Sequence, residues 1–312
     1  MTPLVSVAMA TCNGELWLPE QLDSIYAQTW PNLEVVVTDD ASTDGTVEIL
    51  ERYARERGLR YEVNPERLGL VKNFERAISL CRGEYIALSD QDDVWKPHKV
   101  ETLVERIGGH TLIYGNIQEY IDLDGSRKLE EHFEPVVRFA RALGSGWPTR
   151  YLLAENWVVC HSVMFRRELV EHALPIPPHQ PFHDGWLALV ASKLGGIVFL
   201  DRRLQVYRRH PQSLTWAEPE ARTRQEGLAS ALRTGRFQEA WRRKSEVETA
   251  RLRDSLALPL LDEDDRAFVE DLLACYRGSV RAAARVAPYF HTAWAYGGSW
   301  KLPLRVLAGG RG

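Results

Sequence analysis

Three carboxylates stand within four positions at Asp90-Gln91-Asp92-Asp93, directly after the apolar run Tyr85-Ile86-Ala87-Leu88. Such a run reads as a buried strand, which places the acidic cluster at a strand end. Like charges packed this closely repel one another, and a bound cation relieves the repulsion. A hard divalent ion, Mn²⁺ or Mg²⁺, suits carboxylate ligands and keeps coordination positions open for substrate phosphates. Strand ends are also where open α/β sheets hold their ligands. The competing reading is a solvated acidic turn with no ligand at all.

The elements that must position these carboxylates alternate in type. Apolar, β-branched runs at 5–10, 33–37, 59–63 and 85–88 read as strands. Between them, Leu18, Leu22, Ile25 and Tyr26, then Val47, Ile49, Leu50 and Tyr53, and then residues 70–80 read as helices. A β-α-β-α-β-α-β order predicts an α/β fold, a mainly parallel sheet flanked by helices. Three strand ends carry polar residues: Thr11-Cys12-Asn13-Gly14, Asp39-Asp40 and the acidic cluster. Neither G-x-G-x-x-G nor G-x-x-x-x-G-K-[ST] occurs, so dinucleotide and P-loop chemistry are not supported. Asp40 to Glu51 has the spacing of a calcium-binding EF-hand loop, but Val35-Val36-Val37 precedes it where that loop needs a helix. A strand-turn-helix connection is expected instead, with Ser42 or Thr43 capping the helix. Trp95, Lys96 and Pro97 are expected to begin the next helix.

The bulk composition excludes several classes. An apolar fraction of 45% and a charged fraction of 26% are ordinary for a globular protein, and a net charge of −4 gives no case for nucleic acid. No basic segment followed by an apolar one opens the sequence, and no stretch reaches the roughly 18 apolar residues of a membrane span. The four cysteines form no C-x-x-C pair, so a zinc site or disulfide framework is not expected. A cytoplasmic protein fits these features.

Taken together, three ordered pieces resemble the family 2 inverting glycosyltransferases of the GT-A (Rossmann-like) fold. They are Val5 through Gly14, Val37 through Thr46, and Gly83 through Asp93, and the likeness extends over about the first 210 residues. Within that family, Leu68 through Phe74, Asp92-Asp93-Val94-Trp95 and His183-Asp184-Gly185-Trp186 look most like bacterial rhamnosyltransferases of surface-polysaccharide assembly. The resemblance implies a nucleotide sugar as donor, dTDP- or UDP-linked, with dTDP-L-rhamnose favoured and a UDP-hexose as the alternative. It implies a glycan or lipid-linked oligosaccharide as acceptor. Nucleotide contacts would come from Ala10, Thr11, Asn13, Asp39, Asp40, Lys72, Asn73, Asp90 and Gln91. A carboxylate at Asp39 suits the imide N–H of a pyrimidine. Lys72 reads equally well as a solvated helix residue.

The same resemblance gives the metal to Asp90, Asp92 and Asp93, with His210 as a further ligand, and leaves open which Asp oxygen reaches the ion. His210 also reads as a solvated loop histidine, and Arg208 and Arg209 beside it suit a phosphate grip. The family's base falls on Asp184, where His183 replaces the more usual Glu. The rival reading makes Asp184 the cap of a helix over 186–194. Trp157, His161, His183 and Trp186 would lie on the acceptor side. An Asp-nucleophile phosphotransferase is disfavoured, since Val94 occupies the position where its D-x-D-x-T motif needs Thr. A non-catalytic sugar-nucleotide-binding module is the remaining alternative.

Residues 1–215 thus form the expected catalytic domain, with a nucleotide-binding half near 1–107 and an acceptor half near 108–215. Residues 216–312 read as a helical extension, being rich in Arg, Glu and Ala without strand alternation. From Arg277 to Gly312 there are six basic residues and no acidic one, with Arg277, Arg281 and Arg285 expected on one helical face. Trp294, Tyr296, Trp300, Lys301 and Arg305 follow. That mixture suits peripheral contact with an anionic membrane surface, or a terminal helix packed on the catalytic domain.

Overall fold

A computed structural model of the chain describes residues 2–123, 126–130, 137, 140, 149–156, 158, 160–210, 212 and 236–295. Strand β1 (Val5–Thr11) is buried at all seven positions, because it pairs in parallel with β2 (Leu33–Asp39) on one side and β4 (Tyr85–Ser89) on the other. Strand side chains alternate between faces, so β1 feeds two separate cores. Val5, Val7 and Met9 pack with Val35, Val37, Leu18, Leu22 and Ile25 beneath α1 (Leu18–Tyr26) and α2 (Thr46–Arg57). Ala8 and Ala10 pack with Phe74, Ile78, Ile86 and Leu88 beneath α3 (Leu70–Leu80).

The sheet order is β3-β2-β1-β4-β8-β6-β9-β5, with β3 at Arg60–Val63, β5 at Val94–Trp95, β6 at Leu112–Leu123, β8 at Val163–Arg166 and β9 at Ile197–Arg209; β7 (Ser126–Glu130) pairs with β6. The first four strands are mutually parallel, and β8 and β5 run antiparallel to their neighbours. The chain winds outward from β1 to β3 and then returns to place β4 on the other side of β1. That reversal makes a topological switch point, where the loops after adjacent strands diverge and leave a crevice. The chemistry-bearing residues of β1, β2 and β4 all lie at this edge.

Among the described residues, the further α-helices are α4 (Lys99–Arg106), α5 (Thr149–Ala154), α6 (Glu168–Ala173), α7 (His183–Lys193), α8 (Arg236–Leu256), α9 (Glu263–Tyr276) and α10 (Val280–Ala295). Helix α7 is buried on nearly every face, with Trp186 through Ala191 all enclosed. It shares one apolar core with the sheet and with Leu252, Val269, Leu272 and Val286 of the last three helices. No helix among the described residues is long and apolar enough to cross a membrane.

Three local expectations are corrected. Val94–Trp95 is a short strand paired with β9, and α4 starts only at Lys99, because Lys96 N–H donates to the Leu204 carbonyl (3.0 Å) and Trp95 N–H to Ser24 Oγ (3.0 Å). Arg277 caps the end of α9, so only Arg281 and Arg285 belong to α10, and Arg285 is neutralised by Asp271 of α9. Tyr296, Trp300, Lys301 and Arg305 lie outside the described residues, as does the side chain of Trp294. Helix α7 begins at His183, three residues earlier than expected, which puts Asp184 inside the helix.

Candidate functional site

A cavity of about 960 Å³ opens over the switch point. Its floor is built by side chains that tie the strand ends together. Asp39 closes β2 and is fully buried; its Oδ1 accepts from Ser42 N–H (2.8 Å) and its Oδ2 from Thr11 Oγ1 (2.9 Å) and Ser42 Oγ (2.6 Å). Those bonds hold a tight turn in which Ala41 takes φ 53°. Asp39 therefore lies beneath the cavity and does not face a ligand, a correction to its expected role. Asp40 lines the wall, its carboxylate accepting from Leu68 N–H (2.7 Å), Gly69 N–H (2.9 Å) and Asn64 Nδ2 (3.1 Å).

Asn73 also lines the cavity and braces both strands, donating to the carbonyls of Thr11 (3.2 Å) and Thr38 (2.9 Å). Lys72 is corrected: it turns away, to Glu75 (2.8 Å) and the Ile176 carbonyl (2.9 Å), because adjacent helical residues point about 100° apart. Ala10, Thr11 and Asn13 line the cavity, and Asn13 Oδ1 accepts from Thr43 N–H (2.9 Å). Gln91 clamps both backbone groups of Cys12 (2.9 and 3.2 Å), fastening the acidic turn to the loop after β1. The turn after β2 enters α2 with Gly45 as N-cap and no side-chain cap, so neither Ser42 nor Thr43 caps it; Asp44 instead accepts from Thr46 N–H (3.1 Å).

The acidic turn carries two carboxylate–histidine pairs. Asp92 Oδ2 lies 2.9 Å from His210 Nε2, and both residues line the cavity. The His210 ring stacks on Trp17 with centroids 3.6 Å apart. Asp90 Oδ2 lies 3.3 Å from His161 Nδ1, and His161 stacks on Tyr207 at 4.4 Å. Burial works against charge on Asp90, but the hydrogen bond and charge of His161 hold its pKa below the usual carboxylate value. Burial likewise opposes protonation of His161, and Asp93 and Asp90 overcome it and raise its pKa. His161, expected on the acceptor side, thus belongs to the acidic wall.

Asp93 sits behind this wall, fully buried and off the cavity surface. It accepts from Gln205 Nε2 (3.1 Å) and Arg208 N–H (3.2 Å), and burial pushes its pKa up to about 7 despite His161, with the Asp92 and Asp90 charges adding to the rise. The buried Lys99 ammonium donates to the His161 carbonyl (2.8 Å) and to Gln205, and so supports the same wall from below. Arg208 is corrected as a phosphate grip: it is buried against Glu20 and donates to the Asp92 carbonyl (3.0 Å).

Whether these groups suit a divalent ion can be judged from their atoms. Two adjacent ligands of an octahedral ion, each about 2.1 Å from it, lie about 3 Å apart, and Asp92 Oδ2 and His210 Nε2 have that separation at 2.9 Å. One ligand atom from each of Asp90, Asp93 and His161 also falls within a 4.8 Å span. Carboxylate and imidazole form a hard-to-borderline donor set that fits Mn²⁺ or Mg²⁺. Asp92 and His210 are the better pair, since both face the cavity while Asp93 does not.

A lone carboxylate lines the cavity from α7. Asp184 is nearly buried, and its Oδ1 accepts from Asn156 Nδ2 (2.8 Å) and Gly185 N–H (2.6 Å). The N-cap of α7 is Phe182, so Asp184 is not the capping residue. His183 lines the cavity too, stacked on Phe74 at 3.9 Å; burial pushes its pKa down to about 4, with Asp90 opposing. Trp186 is corrected as an acceptor contact, because it points into the core and donates to the Ala173 carbonyl (2.8 Å). Trp157 lies outside the described residues. The cavity also includes Trp17 and Arg67, which sequence reasoning passed over. A cation in the loop between β3 and α3, one position before the apolar Leu68, was the available signal for Arg67.

An α/β sheet with a switch-point cavity lined by an acidic strand end and by a carboxylate of α7 defines a GT-A-like protein. The chain belongs to glycosyl transferase family 2, whose profile matches residues 6–173. It is 30% identical over 245 residues to the protein Rv1520 of Mycobacterium tuberculosis, covering 73% of this chain and 66% of that one, so it spans just under two thirds of that relative's length. Its fold matches S. aureus TarS 1-349, solved in complex with UDP-GlcNAc, at a TM-score of 0.61 and 16% identity, over 98% of this chain and 83% of TarS 1-349. It also matches the mannosyltransferase PcManGT of Pyrobaculum calidifontis, solved with GDP-Man and Mn²⁺, at a TM-score of 0.57 and 20% identity, over 99% of this chain and 80% of that one.

Proposed function

We propose that this chain is a metal-dependent inverting glycosyltransferase that moves a sugar from a nucleoside diphosphate to a glycan hydroxyl. One observation carries the reading. Glu15, Asp40, Asp44, Asp90, Asp92 and Asp184 line the cavity, and among the described residues Arg67 is the only Lys or Arg that does so. A diphosphate entering so acidic a cavity needs a cation to offset the repulsion. Asp92 and His210 would hold that ion with Asp90 beside them, and when bound it neutralises the charge that grows on the departing diphosphate.

The chain's own groups do the rest. Asn73 and Gln91 hold the strand-end loops that would receive the nucleotide, and Asp40 takes over the wall position expected of Asp39. Asp184 accepts the proton of the acceptor hydroxyl as its oxygen attacks the anomeric carbon. The bond from that carbon to the diphosphate oxygen breaks, and its electron pair leaves with the nucleoside diphosphate. Attack from the opposite side inverts the anomeric configuration. The UDP-GlcNAc of TarS 1-349 and the GDP-Man and Mn²⁺ of PcManGT support the donor class and the ion. The motif resemblance favours dTDP-L-rhamnose among donors, with a UDP-hexose next, and a lipid-linked oligosaccharide among acceptors.

The test is a panel of dTDP-L-rhamnose, UDP-glucose, UDP-N-acetylglucosamine and GDP-mannose, scored by thermal stabilisation and nucleoside diphosphate release with and without Mn²⁺. The pyrimidine donors should stabilise only with metal, and dTDP-L-rhamnose most. A metal-independent response, or none to any donor, contradicts the reading.

A further inference from the structure

We infer that Asn156 is the positioning residue of the base, holding Asp184 so that its carboxylate meets the acceptor hydroxyl; this rests on Asp184 being the base. Three observations carry it. Asn156 Nδ2 donates to Asp184 Oδ1 at 2.8 Å, and both residues line the cavity. Val158 N–H donates to Asn156 Oδ1 at 3.0 Å, so the two ends of the amide are distinguished and the NH₂ must face the carboxylate. Gly185 leaves room for the contact, since a Cβ there would stand 3.2 Å from Asn156 Cγ and 3.4 Å from its Nδ2.

His183, the residue before Asp184, is stacked on Phe74 and held neutral by burial, so it does not orient the carboxylate as a charged partner. The orienting contact comes instead from the loop between α5 and β8. With Asn156 and Gly185 N–H both on Oδ1, the plane and direction of the carboxylate are set before the acceptor arrives. The proton passes from acceptor oxygen to that carboxylate as the new glycosidic bond forms and the diphosphate leaves with its electron pair.

The experiment uses the full chain with the nucleotide sugar and acceptor that give turnover, and compares Asn156→Ala, Asp184→Asn and the double variant. Asn156→Ala should lower kcat by about 10- to 100-fold, the scale of a misplaced reacting group, with the donor KM little changed. In the Asp184→Asn background it should cost nothing further. Gly185→Ala should reproduce the kcat loss although alanine is the better helix former, so a merely structural role would not predict it. Full activity in Asn156→Ala, or the same fold-loss in both backgrounds, overturns the inference. Near-wild-type turnover in Asp184→Asn overturns the base assignment instead. Independently of turnover, the ¹³C carboxyl resonance of Asp184, identified by its absence in Asp184→Asn, should shift in Asn156→Ala. An unmoved resonance shows that the contact is not made and overturns the inference by itself.

Discussion

Asp184 and His183 are neighbours at the start of α7 with opposite demands. The aspartate accepts two hydrogen bonds at one oxygen and, in the proposed role of base, has to take a proton. Asp184→Asn keeps the shape but cannot act as a base at neutral pH. Turnover should fall by about 10²- to 10⁴-fold with donor binding retained, as measured by steady-state kinetics alongside calorimetry; a change under about threefold would sink the assignment. His183 is buried neutral, its pKa lowered from 6.5 to about 4. Below pH 6.5 the unfolded chain takes up a proton that the folded chain refuses. Stability is therefore lost as pH falls from 6.5 towards 4, by at most about 3 kcal/mol. Asp93, raised from 3.8 to about 7, slopes the other way, losing stability as pH rises from 3.8 towards 7 and no further above it. Urea melts of wild type against His183→Asn isolate the histidine: the variant should gain relative stability between pH 6.5 and 4, and a constant difference would contradict its burial as a neutral ring. The sequence placed Asp90 and Asp92 at a strand end, where both line the cavity, because an apolar run that stops at a charge cluster marks where the strand leaves the core. Asp39 and Asp40 were not separable, since adjacent carboxylates differ only in where the strand stops and the turn begins.

Helix α3 shows why the element boundaries matter to the site. It runs over Leu70–Leu80, as its apolar spacing predicts, yet one residue of rotation separates Asn73 on the cavity from Lys72 on the outside. The Asn73 amide bridges the ends of β1 and β2, so Asn73→Ala leaves the carbonyls of Thr11 and Thr38 without that donor. Denaturation in urea should show a loss of about 1–3 kcal/mol, and a change below about 0.5 kcal/mol would mean that the brace is replaced by solvent. Strands β1, β2 and β4 were legible because their continuous apolar runs match burial on both faces of the sheet. Strands β5 and β9 were not: β9 carries Asp201, Arg202, Arg203, Arg208 and Arg209, and its partner β5 is only two residues long. Their pairing is set by contacts distant in sequence, which no local pattern encodes.

Over the whole molecule, the last three described helices complete the core around α7 and so hold the helix that carries Asp184 against the sheet. The acidic wall is held from the other side by Lys99, Gln205 and Arg208. Between the two supports lies a cavity lined, among the described residues, by six carboxylates and one arginine. An anionic diphosphate should enter it only with a cation, and isothermal calorimetry of UDP and dTDP with Mn²⁺ and with chelator, on wild type and Asp92→Ala, tests that most directly. If the cavity needs a cation, Mn²⁺ should tighten binding to wild type at least about tenfold, near 1.4 kcal/mol, and Asp92→Ala should abolish the difference. Equal affinity of wild type with metal and with chelator would contradict it.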